Sequence, residues 1–228
     1  MKILAIGGSG GMGRFAVAAA QHFDHVEQIV VADLNADSAH SFASQMNRKV
    51  SAMHLDVADA DALQNAMSGI DVVVNTCGPF YRFGVPVLQA AIDAQCHYLD
   101  ICDDWEPTVA MLELDQAAKA AGISATVGLG ASPGVSNLLA LMAMQELDSV
   151  VTVYTGWDVG GAKPEAESSQ QGTNAAMLHG VEQMTGSVRV YRRGAVEMTK
   201  PLAPVSVSYP GLPILSLIHI SEPTRPSL

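Results

Sequence analysis

Cysteine is scarce and unpaired in this 228-residue chain. Cys77, Cys96 and Cys102 are an odd number with no Cys-x-x-Cys spacing, which argues against both a disulfide framework and a zinc centre. Reduced thiols and no metal site are the expectation. Basic residues are also few. Twelve Lys and Arg against 23 Asp and Glu leave a formal charge of −11, and no run of cations offers the stripe that a nucleic-acid backbone requires. No apolar run reaches the length of a membrane span. The short apolar stretch after Met1 and Lys2 is broken by Gly7 and Gly8, too early for the hydrophobic region of a secretory signal. A cytoplasmic location follows, with neither nucleic acid nor membrane as partner.

What is present is core-forming material. Apolar residues make up 49% of the chain and charged residues only 15%, which argues against disorder. The length allows one large α/β domain, or one ordinary domain and part of another. Over the first 130 residues, β-rich runs alternate with Ala-rich helical stretches, the pattern of a parallel sheet covered on both faces. Strands are predicted near Ile3–Ile6, Gln28–Ala32, Val50–Leu55, Val72–Asn75, Tyr98–Ile101 and Ser124–Val127. Helices are predicted over Gly11–Phe23, Ala36–Gln45, Asp59–Met67, Val85–Ala94 and Pro107–Ala121, with Asp59 as an N-cap and Gly122 as a C-cap. The fold class is therefore α/β, a Rossmann-type doubly wound parallel sheet over residues 1–147.

Beyond Val127 the pattern changes. Gly128–Gly134 reads as a loop and Val135–Glu146 as a helix; Ser149–Thr155 is strand-like, and Gly160–Gly172 is polar. A hairpin is predicted over Val188–Met198 around Arg193-Gly194. Residues 148–214 thus read as the opening of a second, α+β domain for substrate binding or dimerisation. From about Leu215 the residues Leu-Ser-Leu-Ile-His-Ile-Ser-Glu-Pro-Thr-Arg-Pro-Ser-Leu resemble the translation of a sequencing-library adapter. Residues 215–228 are therefore set apart as a non-native tail, and the natural protein is expected to continue beyond Pro213.

One motif carries chemistry. Gly8-Ser9-Gly10-Gly11-Met12-Gly13 fits G-x-G-x-x-G and falls between a predicted strand and a predicted helix, the context that binding a dinucleotide requires. Gly8 would make the tight turn, Gly10 would admit a pyrophosphate to the backbone, and Gly13 would let the helix pack closely. The amides at the helix start would hold the phosphate charge. Asp33 lies twenty residues past Gly13, at the end of the second strand, where a carboxylate accepts hydrogen bonds from the adenosine ribose. A 2′-phosphate would be repelled there, and neither Leu34 nor Asn35 is an arginine. NAD is favoured over NADP. The competing reading of Asp33 is a cap for the next helix. The spacing Gly7, Gly10, Gly13 also suits short-chain dehydrogenases, but none of the five tyrosines is followed by Lys in Tyr-x-x-x-Lys.

The stretches Ile6–Gly13, His54–Val57, Val73–Phe80, Cys96–Asp100 and Gly130–Asn137 together resemble the saccharopine dehydrogenase-like family of amino-acid oxidoreductases over roughly residues 1–155. The acid ending strand two and the Pro133-Gly134-x-x-Asn137 segment are similar to the NAD-dependent lysine dehydrogenases within it. The resemblance implies a two-domain enzyme that exchanges hydride between nicotinamide and a carbon–nitrogen bond of an amino acid or its imine. By the same resemblance Asp56 and Val57 would flank the adenine. Asn75, Thr76, Cys77, Gly78 and Pro79 would run beside the ribose and pyrophosphate, Cys77 being read as a small buried thiol without a catalytic role.

The proton on nitrogen needs a manager. Asp103 and Asp104, after the fifth strand, are the candidates for base or ammonium ligand, with helix capping by Asp104 as the alternative. Ser132, Ser136 and Asn137, with Gly134 between them, frame another helix start that could hold a substrate carboxylate or the nicotinamide amide; the competing reading is Ser132 as its N-cap and Pro133 as its first residue. His97, at a strand's start, is expected to be structural. The partner is an amino-acid-like small molecule, and a homodimer is compatible with the sequence. Two other classes fit parts of the pattern: a redox sensor that binds the dinucleotide without reacting it, and an adenosylmethionine-dependent methyltransferase, which would make no pyrophosphate contact.

Overall fold

In a parallel sheet buried on both faces, strands read as unbroken apolar runs, and Lys2–Ile6 (β1), Gln28–Asp33 (β2), Val50–His54 (β3), Val72–Asn75 (β4) and His97–Asp100 (β5) largely do so. In the computed structural model these five and the short Ala125–Thr126 (β6) form one sheet in the order β3-β2-β1-β4-β5-β6, every pair parallel. The structure describes residues 1–151, 153, 185, 187–192, 194–201, 204–207 and 215–218. Because the crossovers leave β1 in opposite directions, a crevice opens beyond the carboxyl ends of β1 and β4. Register aligns Ile6 with Ala32 on one side and Asn75 on the other, and Asn75 with Asp100, so the strands end nearly in one row, β2 running one residue further to Asp33.

Alternation along β1 divides the core. Ile3 and Ala5 face Val17 of Gly11–Ala20 (α1) and Ala39 and Phe42 of Ala36–Ala43 (α2). Leu4 and Ile6 face the other way. They join Leu63 of Ala60–Ala66 (α3), Val87, Leu88 and Ala91 of Phe80–Asp93 (α4), Met111 of Trp105–Leu112 (α5) and Ala118 of Asp115–Ala121 (α6).

Two helices depart from the sequence reading. The fourth begins at Phe80, five residues before the expected Val85, because Gly84 lets it lie against the Met111 thioether and Pro86 costs the helix only one amide donor. The fifth is two helices. The chain leaves α-geometry at Leu114 and restarts with Asp115 in a new first turn, paired to Lys119 at 2.6 Å. Asp59 caps α3 and Gly122 ends α6 in the left-handed conformation, both as expected.

Compactness divides the chain into Met1–Leu138 and Leu139–Leu228, a cut inside the helix Val135–Gln145 (α7). In the second unit Val188–Arg192 (β7) and Ala195–Thr199 (β8) form the expected antiparallel hairpin. Pro204–Val207 (β9) pairs with Leu215–Ile218 (β10), so the first residues of the adapter-like stretch are in a strand. Residues 149–151 and 153 form no strand; residues 152, 154 and 155 of that predicted segment, and Gly160–Gly172, lie outside the described residues.

Candidate functional site

The glycine loop is held by its own backbone and by the end of β4. Gly7, at φ +70°, donates its amide to Ala32 O (2.8 Å) and accepts from the Gly10 amide (2.9 Å). The left-handed residue of the turn is therefore Gly7, where the sequence reading placed that role on Gly8. Gly8 is required for a different reason: a Cβ there would sit 2.8 Å from Ala5 O. Gly13 is the close-packing residue as expected, since its Cβ would overlap Gly7 O and the Gly8 Cα. The Thr76 hydroxyl donates to both Ile6 O (2.9 Å) and Gly7 O (3.1 Å), strapping the loop to β4.

Helix α1 starts behind this loop. Gly10 is its N-cap, no side chain caps its first-turn amides, and that turn contains no acid. Gly10 itself is exposed, with only Gly7 O near a Cβ position (3.1 Å), and Gly11 meets nothing. The first amides of a helix have no partner within it, so this bare, positively polarised end could receive a diphosphate. Met12, exposed in the same turn, borders that opening. A nicotinamide dinucleotide fits the arrangement on this ground.

Asp33 lies beside the loop. Its Oδ2 accepts from the hydroxyl of the buried Ser9 at 2.6 Å and its Oδ1 from the Asn35 amide at 3.1 Å. The cap of α2 is Asn35, which accepts from the Ser38 amide at 3.0 Å, so the capping reading of Asp33 falls. Asp56 follows β3, turning back to the Ala58 amide, with Val57 beside it half-buried. The half-buried Cys77 thiol is pushed up to about 11, first by burial and then by the charges of Asp33 and Asp56, so it is a neutral thiol near both acids. Gly78 and Pro79 complete the turn, Pro79 serving as the N-cap of α4.

A buried chain of hydrogen bonds, unforeseen in the sequence, organises the other end of the crevice. Asn75 accepts the Cys77 amide and donates to the Tyr98 hydroxyl (3.0 Å), which donates to Asp100 Oδ2 (2.9 Å). Asp100 Oδ1 accepts the amides of Cys102 (3.0 Å) and Gly128 (2.7 Å), and its carbonyl accepts that of Leu129 (2.7 Å). One carboxylate thereby ties together the loops after β4, β5 and β6. Burial raises the Asp100 carboxyl above its ordinary value, against the opposing effect of its three donors. The sequence carries only part of the signal: Tyr98 and Asp100, two apart on a strand, share a face, but the strand register is what brings Asn75 to them.

Asp103 and Asp104 follow directly, half-buried. Asp104 is at the N-cap of α5 without a side-chain capping bond; its carbonyl receives the Thr108 hydroxyl at 2.7 Å. Helix α7 begins at Val135, as predicted, so Ser132 and Pro133 lie in the turn before it, and the reading of them as its cap and first residue falls. Gly134 takes φ +122° pressed against Gly130, a close approach no side chain would allow, and its amide donates to Asn137 Oδ1 at 3.2 Å. His97 accepts the Ser124 amide, the structural role expected of it. Asp56 and Asp103 stand beyond strands four places apart, about 19 Å at the usual spacing. Asp56 and Asp103 therefore stand at opposite ends of the sheet's carboxyl edge over these five strands.

The family described as Saccharopine dehydrogenase NADP binding domain matches residues 3–126. This chain belongs to it. A saccharopine dehydrogenase [NADP(+), L-glutamate-forming] of Pyricularia oryzae is 33% identical over 116 residues, 50% of this chain and 25% of that protein. The apo saccharopine dehydrogenase (L-Glu forming) of Saccharomyces cerevisiae superposes with a TM-score of 0.61 at 19% identity, over 92% of this chain and 47% of the yeast chain. The yeast likeness supports the Rossmann-type sheet. The chain spans a quarter to a half of these relatives' lengths. Among the described residues there is no group of three or more His, Cys, Asp or Glu that could hold a metal, and no helix long and apolar enough to cross a membrane.

Proposed function

We propose that this chain is the dinucleotide-binding part of an NAD(P)-dependent oxidoreductase acting at a carbon–nitrogen bond of an amino acid or its imine, with NAD preferred to NADP. The observation that carries the reading is the Ser9-anchored Asp33 carboxylate beside an uncapped helix start. The loop Gly8–Gly13 would hold the diphosphate, Asp33 the ribose hydroxyls, and Asp56, Val57 and Asn75–Pro79 the adenosine and its flank. When bound, the nicotinamide supplies the hydride acceptor. Asp103 or Asp104 would hold the substrate ammonium or take the proton from nitrogen, and the Ser132, Gly134, Asn137 turn would receive the substrate carboxylate.

Asp100 supports this division of labour, because it fixes the Asp103 turn and the Gly128 loop from one point. Residues 1–147 are read as the dinucleotide domain, 148–214 as part of a substrate or dimerisation domain and 215–228 as a non-native tail. The setting is cytoplasmic and the assembly a homodimer.

The test is turnover by the protein extended past Pro213, across a panel of amino acids with NAD and of keto-acid plus amine pairs with NADH. Turnover with at least one amino acid is expected, and Asp103→Asn or Asp104→Asn should lower kcat about 100-fold or more while leaving NADH affinity intact. Cofactor binding without any turnover, or full activity in both variants, would overturn the assignment; binding without turnover is the behaviour of a sensor.

A further inference from the structure

Asn75 on β4 and Tyr98 and Asp100 on β5 are each no more than 1% exposed. Buried polar groups are tolerated when they are paired, and here every partner is forced. Asn75 Oδ1 takes the Cys77 amide, so its Nδ2 must face the Tyr98 hydroxyl. That hydroxyl has one proton, and it goes to Asp100 Oδ2. The chain of bonds therefore runs in one direction, from the turn after β4 to the turn after β5. Three apolar side chains of the same shape would hold the two strands together as well. What the polar chain adds is a fixed spacing between turns, with Cys77 on one side and Cys102 and Gly128 on the other. Thr76, next to Asn75, is strapped to the glycine loop, and Asp103 follows Cys102.

From this we infer that Tyr98 is a positioning residue for hydride transfer. Through Asn75 and Asp100 it sets the distance between the turn that flanks the dinucleotide and the turn that carries Asp103 and Asp104. Fully buried, it touches neither cofactor nor substrate. The inference rests on the assignment of dinucleotide and acid–base group to those two turns, and adds what spaces them. Rate is sensitive to such spacing, since a displacement of about 1 Å can cost about 100-fold. The Tyr98 ring fills the core with or without its hydroxyl, so spacing and packing are separable by substitution.

The test is steady-state turnover by the protein extended past Pro213, with whichever amino acid of the panel it oxidises, beside calorimetric titration of NADH. Tyr98→Phe keeps the ring and removes the link. It should lower kcat about tenfold or more while NADH affinity and substrate KM change less than about twofold. Asp100→Asn should do the same, because its new amide and that of Asn75 both donate to the hydroxyl, whose own proton then has no acceptor. The double variant Asn75→Asp, Asp100→Asn reverses the chain. The amide at position 100 then donates to Tyr98, Tyr98 donates to the carboxylate at position 75, and that carboxylate still accepts the Cys77 amide. The double variant should regain most of the lost kcat, and it decides the matter if Tyr98→Phe does not fold. Three results would overturn the inference and leave Tyr98 a structural brace: wild-type kcat in folded Tyr98→Phe, a loss of NADH affinity that matches the loss of kcat, or a folded double variant no faster than Asp100→Asn. If the unmodified extended protein binds NADH but oxidises no amino acid, the oxidoreductase reading itself fails, and this inference with it.

Discussion

At Asp100, burial opposes ionisation and three donated hydrogen bonds favour it; burial prevails, and the carboxyl group is raised above the ordinary value of 3.8. The folded state therefore holds this proton more tightly than the unfolded chain does. Whatever stability that protonation contributes is fully present below 3.8 and is lost as pH rises through the raised value. Urea unfolding of the wild type and Asp100→Asn across this acid window should show the wild type losing stability relative to the variant as pH rises; a gain would contradict the account. Single residues also show where sequence reading reaches and where it stops. Asp33 was legible because its spacing from the glycines is local. Asp100 and the Ser9 contact were not, since they depend on the register that sets Asn75 beside Asp100 and on the approach of the glycine loop to the end of β2.

Among elements, the join of β1 to α1 is the most constrained. Gly13→Ala would drive a Cβ into the backbone of Gly7 and Gly8, which cannot yield as a flexible side chain would. Thermal melts should show a loss of about 1–3 kcal/mol. Gly11→Ala meets nothing within 4 Å and should be neutral or stabilising by up to about 1 kcal/mol. Equal losses in the two variants would mean that the loop is not packed as described. Strands and most helices were legible from apolar runs and caps. The exceptions were elements whose ends are set by packing: α4 starts early because Gly84 meets Met111, and the Pro107–Ala121 helix breaks at Leu114, where no Gly or Pro announces it.

Over the whole molecule, a formal charge of −11 opposes any polyphosphate ligand. Binding must then come from local donors, the amides at the bare start of α1, against a repulsive background. The family match covers residues 3–126, and the relatives are longer, so dinucleotide binding is the property this chain should retain by itself. The most direct test is calorimetric titration of NADH into the wild type, Gly10→Val and Asp33→Ala, with circular dichroism as the check on folding. Gly10 is exposed and its backbone is extended, so the valine variant should fold yet lose NADH binding. Asp33→Ala should weaken NADH about tenfold or more. Unchanged NADH affinity in both folded variants, or tighter binding of adenosylmethionine than of NADH by the wild type, would contradict the assignment of this crevice.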